Sequence, residues 1–208
     1  MMRNRLFPVG ALALGLALAV TWTPSARAEE KAKAAAKAPT QEEMMKAWQA
    51  YATPGEGQKK LDAFAGSWTV KMKSWMEPGT PPEESEGTAE NTWVLGGRYL
   101  AQKYDGKMMG QPFSGMGYTG FDNYKKKYQS VWIDNLGTGL MISTGSFDKT
   151  GKVMHFTATM DDFMTGKKTT VKEALTIVDA DTHKLEMWMS GPDGKMFKNL
   201  EGVYTRKK

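Results

Sequence analysis

Glu173 stands in the run Val171-Lys172-Glu173-Ala174-Leu175-Thr176-Ile177. In a strand, the period of two puts its carboxyl on the face that carries Val171, Leu175 and Ile177. An acid on an apolar face is costly to ionise unless paired, so its pKa rises. Such a group can anchor the polar end of a ligand or act as a general acid or base. The structural alternatives are an internal pair with Arg98 or Tyr204, or a register in which Glu173 faces out.

The other chemical residues are sparse. His155 falls in the run Val153–Met160. If Met154 and Phe156 face the core, His155 points to water; the opposite register would place it inside, where an imidazole could hold haem. His183 is expected in an exposed turn over residues 179–184. Met187-x-Met189 sets two soft thioethers on one strand face, about 6.5–7 Å apart, a pattern suited to Cu(I) and equally to filling irregular apolar space. Met108-Met109 and Met160 with Met164 add further sulfurs. The chain has no cysteine, no G-x-S-x-G and no H-E-x-x-H, and Ser146-Phe147-Asp148-Lys149 fits S-x-x-K only where the chain enters a turn. No cofactor and no metal is expected.

Trp68, Trp93, Tyr118, Trp132, Trp188 and Tyr204 belong to six different strand candidates. Rings gathered in this way either fill a barrel or line a cavity for one small ligand, which their N–H and O–H groups can orient. The expected ligand set is Trp93, Arg98, Tyr118, Trp132, Glu173 and Tyr204.

The elements that must position these groups follow from patterning. Thr40 with Glu43 makes a capping box, and Met44, Trp48 and Tyr51 then share one helical face until Thr53-Pro54-Gly55. A second helical turn is expected over residues 57–64. From Ser67 onward the period becomes two, with about ten strand candidates divided by turn signals such as Leu95-Gly96-Gly97, Asp105-Gly106, Phe121-Asp122-Asn123 and Gly191-Pro192-Asp193-Gly194. No helical stretch long enough for a parallel crossover interrupts them. The predicted fold is all-β: a closed antiparallel up-and-down barrel of about ten strands after a short N-terminal helix, with a two-sheet sandwich as the alternative.

Arg3 and Arg5, the apolar run over residues 8–20 and Ala26-Arg27-Ala28 read as an export signal cleaved after Ala28. The run is shorter than the ~20 residues of a spanning helix, so no transmembrane anchor is expected after cleavage. The expected organisation is residues 1–28 signal, 29–39 flexible Ala/Lys linker, 40–65 helical segment and 66–208 barrel, in the periplasm or secreted. The whole chain has 28 basic and 23 acidic residues, +5; without Arg3, Arg5 and Arg27 the balance is 25 against 23, or +2. That balance argues against nucleic acid as a partner. Without cysteine, stability in an oxidising compartment must come from the core.

Gly66-Ser67-Trp68 resembles the G-x-W signature that opens lipocalin and calycin barrels, and Arg206 matches their late arginine. The resemblance implies a cation–π contact that closes one end of the barrel. The chain is also similar, over residues 44–206, to the bacterial domain-of-unknown-function family 1579. The shared features, in order, are Pro54-Gly55, Gly66-Ser67-Trp68, Leu95-Gly96-Gly97-Arg98, Gly117-Tyr118-Thr119-Gly120-Phe121-Asp122, Trp132-Ile133-Asp134 and Thr165-Gly166-Lys167. Where members of that family often carry a histidine shortly after Pro-Gly, this chain has Gln58. The resemblance implies a lipocalin-like barrel and no established activity.

Three functions are therefore expected in order. First comes a barrel that holds a small, largely apolar ligand with Glu173 and Arg98 as polar anchors. Next is a solid barrel that docks a protein partner through Met44, Trp48 and Tyr51. An enzyme using Glu173 comes last. No oligomeric state follows from the sequence.

Overall fold

Two-residue periodicity with turns every ten residues or so leaves each strand long enough to cross a barrel once and reverse. In the computed structural model, ten antiparallel strands do this and close on themselves. They are β1 (Gly66–Ser74), β2 (Glu83–Val94), β3 (Tyr99–Met108), β4 (Gln111–Asp122), β5 (Lys127–Asp134), β6 (Met141–Phe147), β7 (Val153–Asp161), β8 (Lys168–Ile177), β9 (Thr182–Ser190) and β10 (Met196–Arg206). Each strand pairs with the next in sequence, and β1 pairs with β10 to finish the ring, so no sheet edge is left among the ten. The structure describes residues 38–162, 165–191 and 193–208. The expected signal, nearly all of the expected linker, Met164 and Pro192 lie outside them. The chain divides into two units, Met1–Gln41 and Glu42–Lys208, and the barrel belongs to the second. No helix among the described residues is long and apolar enough to cross a membrane.

Before the barrel come α1 (Gln41–Ala52), α2 (Glu56–Lys59) and a 3-10 turn (Lys60–Phe64). Gln58 makes a double link: its Oε1 accepts from the Gly55 N–H at 2.9 Å and its Nε2 donates to the Phe121 carbonyl at 2.9 Å. Asn123 Nδ2 donates to the carbonyls of Tyr51 at 2.9 Å and Thr53 at 2.8 Å, which ties the end of α1 to the β4–β5 turn. No residue of α1 is buried.

Two buried clusters divide the interior. One joins Leu61 and Phe64 of the 3-10 turn to Leu100, Tyr128, Met154 and Phe156. The other runs from Trp68 and Tyr204 through Val70 and Met72 to Tyr104 and Phe113. Strand ends near α2 form the closed end of the barrel; the opposite ends carry the β1–β2, β3–β4, β5–β6, β7–β8 and β9–β10 connections.

Asp105-Gly106 is a correction to the expected turns. Both lie inside β3, and the hairpin reverses at Met109-Gly110, where φ is +52° and +69°. Gly106 is needed inside the barrel instead: a methyl there would sit 2.5 Å from the Tyr104 hydroxyl.

Candidate functional site

The closed end is built first. Trp68 at the start of β1 is fully buried, and its indole N–H donates to the Phe64 carbonyl at 3.1 Å. Arg206 is its cross-strand partner on β10, and the guanidinium carbon lies 4.1 Å from the Trp68 ring centroid. The same guanidinium donates from Nη1 to the Ala65 carbonyl at 2.7 Å and from Nε to the Ala180 carbonyl at 3.2 Å, and pairs with Asp181 at 3.4 Å. Trp93 belongs to this end as well, with Nε1 donating to Asp62 Oδ1 at 2.9 Å.

His183 is a correction. The turn ends at Asp181 and β9 begins at Thr182, so His183 is already in a strand, paired with Tyr204 and Ile177 and 3% exposed. Its ring stacks on Tyr204 at 4.4 Å and meets Trp68 edge-on at 4.3 Å. Burial first and the Arg206 charge second push its pKa down to about 3. It is a neutral packing group at neutral pH. His155 is exposed, with Met154 and Phe156 buried on the opposite face of β7, which removes the register that would have made it an internal ligand.

Above this plug lies the lumen. Strand alternation aims Tyr104, Phe113, Trp132, Ser143, Glu173 and Met187 inward from β3, β4, β5, β6, β8 and β9. Room for the rings comes from inward glycines. A methyl at Gly115 would sit 2.3 Å from the Trp132 ring, and one at Gly87 2.4 Å from the Tyr104 hydroxyl. Leu185, Met187 and Glu173 face inward at mid-strand and are partly buried.

Glu173 sits between Phe156 of β7 and Met187 of β9 in register. Its Oε1 is buried and has no hydrogen-bond partner among the described residues; the same holds for the Tyr104 hydroxyl, Ser143 Oγ and Thr169 Oγ1. Burial pushes the Glu173 pKa up to about 7. Tyr204 lies between plug and lumen. It shares a hydrogen bond with Gln102, and burial above all raises its pKa, with Tyr104 and Glu173 adding to the rise. Trp132 Nε1 donates to Asp134 Oδ2 at 3.0 Å near the open rim.

Of the six expected ligand residues, the fold brings Trp132, Glu173 and Tyr204 together in the interior and sets Trp93 in the plug. Tyr118 and Arg98 are corrections. Tyr118 is on the outer face of β4 and 47% exposed, because the inward positions of that strand are the glycines Trp132 packs over. Arg98 sits in the exposed β2–β3 turn, its Nη1 donating to the Leu95 carbonyl at 3.0 Å, outside reach of the lumen. Trp188 likewise falls at an outward position of β9, paired with Lys172 and Lys198. Tyr104, Phe113, Ser143 and Asp134 were missed. The alternation Leu100-x-Gln102-x-Tyr104 carries a signal for the first; the others sit beside glycines or at strand ends, where hydropathy alternation is silent.

These features define a closed ten-stranded up-and-down barrel, plugged at one end by an arginine–tryptophan stack and polar-spotted inside. The chain belongs to the family described as Protein of unknown function (DUF1579), whose model matches residues 53–206. No curated protein matches it. Among solved structures, Rv2717c from M. tuberculosis superposes with a TM-score of 0.55 at 17% identity, over 75% of this chain and 100% of that one. The S-type phycobiliprotein lyase CPES from Guillardia theta superposes with a TM-score of 0.52 at 10% identity, over 74% of this chain and 99% of the other. At these identities the likeness is one of fold.

Proposed function

We propose that the barrel binds a small, largely apolar molecule in its lumen, entering by the end opposite the Trp68–Arg206 plug. The observation that carries this is the buried, unpartnered Glu173 oxygen, which faces the barrel interior. A polar atom kept from both water and protein costs on the order of 1–3 kcal/mol, and a ligand group that meets it offsets the cost. Trp132, Phe113 and the inward methionines supply apolar, adaptable walls for the rest of the molecule. The test is titration of the mature chain with small hydrophobic probes, following tryptophan fluorescence and thermal midpoint. Saturable binding that is lost in Trp132→Leu is expected; no saturation and no midpoint shift with any probe overturns the reading.

A second reading rests on α1. Met44, Trp48 and Tyr51 are all more than half exposed, an apolar stripe with no cover among the described residues. It would dock a protein partner, and replacing the three by Ser, Gln and Gln would abolish that contact while leaving the barrel folded.

The place of action is proposed from the N-terminal pattern: export, with cleavage after Ala28. N-terminal sequencing of protein recovered from outside the cytoplasm should read from Glu29.

A further inference from the structure

The signs of the groups facing the lumen are unequal. On the inward side of the described strands above Trp68 stand three carboxyl groups, Glu173 of β8, Asp134 of β5 and Glu83 at the rim end of β2, and no lysine or arginine. Lys71, Lys73, Lys103, Lys107, Lys172 and Lys184 all occupy outward positions. Arg206, inward at the closed end, is committed to the plug through Trp68, Ala65, Ala180 and Asp181. The other inward groups whose titration burial shifts are neutral near pH 7: Tyr104 on β3, Tyr128 on β5, His183 on β9 and Tyr204 on β10, the last of them near enough to Glu173 to feel its charge. Asp134 accepts from the Trp132 indole and from the Leu136 backbone N–H, and Glu83 from the Gly110 N–H, which leaves Glu173 as the inward carboxyl group with a buried, unsatisfied oxygen.

Aromatic faces stand on the same side of the barrel wall. Tyr104 and Phe113 pack at 5.7 Å, with Trp132 against the same cluster. A buried carboxyl group that shares the barrel interior with aromatic rings attracts a cation twice over: by direct charge and by the ring quadrupoles. It disfavours an anion for the same two reasons.

We propose that the lumen selects organic cations, molecules with an amine or quaternary ammonium head on a short apolar body. The proposal rests on the lumen being a binding site at all. The cation takes the place of the missing base beside Glu173, and its apolar body lies along Trp132 and the inward methionines. Binding draws the proton from Glu173, whose burial otherwise holds it near half-protonation at neutral pH.

The test is calorimetric titration of the mature chain with octyltrimethylammonium, octanol and octanoate, all below their micellar ranges. At pH 8 and low salt the ammonium compound should bind about tenfold or more tighter than the alcohol, and the carboxylate weakest. The ammonium head does not titrate, so the loss of its advantage as pH falls from 8 to 5.5 reports Glu173. Glu173→Gln, checked for folding by circular dichroism, should bring ammonium and alcohol to within about threefold. Alcohol or carboxylate binding as tightly as ammonium overturns the cation preference while the lumen reading stands. A preference that stays flat over the pH range, or that survives in Glu173→Gln, removes Glu173 from the role. Binding by none of the three compounds overturns the lumen reading and this proposal together.

Discussion

Arg206 and Trp68, 138 residues apart in the chain, are cross-strand partners whose guanidinium and indole lie 4.1 Å apart, carbon to ring centroid. The contact closes the seam between the first and last strands. It also anchors the 3-10 turn, because Arg206 holds Ala65 and Trp68 holds Phe64.

Arg206→Ala should lower stability by about 2–4 kcal/mol, the sum of a half-buried cation–π contact and charge-assisted hydrogen bonds. Arg206→Lys should recover less than half of it, because an ammonium lacks the planar fork that reaches two carbonyls while covering a ring. Urea unfolding of the two variants checks both.

Gly66→Ala should destabilise for the same reason from the other side. Its backbone is at φ +118°, and a methyl there would sit 2.4 Å from Arg206 Nη1. The expected cost is about 2 kcal/mol or more. Because part of that cost is the clash, Gly66→Ala and Arg206→Ala should combine to less than their sum, by about 1 kcal/mol in a double-mutant cycle.

His183 should make the fold acid-sensitive. In the unfolded chain it titrates near 6.5, whereas in the fold burial holds it at about 3. Between those values the unfolded chain binds the extra proton, so stability is complete above about pH 6.5 and drains as pH falls toward 3. From pH 7 to pH 4 the loss is on the order of 3 kcal/mol. In a Glu173→Gln background, where no opposed titration offsets it, His183→Phe should remove most of that difference in urea midpoints at the two pH values.

Glu173 acts with the opposite sign. Its pKa rises from 4.5 to about 7 on folding, so its stabilising proton is fully present below about pH 4.5 and is lost as pH climbs through 7. The expected loss is on the order of 3 kcal/mol by pH 8. Glu173→Gln should therefore be more stable than the parent at pH 8 and similar to it at pH 4. In the parent, the two opposed slopes should leave a plateau between about pH 4.5 and 6.5; a stability curve without one counts against this assignment.

Some of the site was legible from strand alternation and some was not. Val171, Leu175 and Ile177 pointed Glu173 inward because three apolar neighbours of one parity leave a single sensible register. Tyr118 was misread because β4 reverses the usual rule. At its middle Met116 and Tyr118 face out, while Gly115 and Gly117 face in to make room for a ring that belongs to β5. His183 was misread by a boundary: a hairpin ending at Asp181 turns an expected loop residue into a buried one.

What the sequence determined by itself was the sheet: ten runs of period two, short turns and no crossover helix leave antiparallel neighbours and a ring as the way to hide the edges. It also supplied the signature residues Gly66, Trp68 and Arg206, since a buried tryptophan and a terminal arginine need a partner wherever they fall. Only the tertiary structure decided which groups share the lumen. Cross-barrel neighbours come from strands far apart in the chain, and whether an inward position is a ring or the space for one depends on the residue facing it. That is why Tyr104, Trp132 and Glu173 meet there, while Arg98, at a turn on the closed rim, does not.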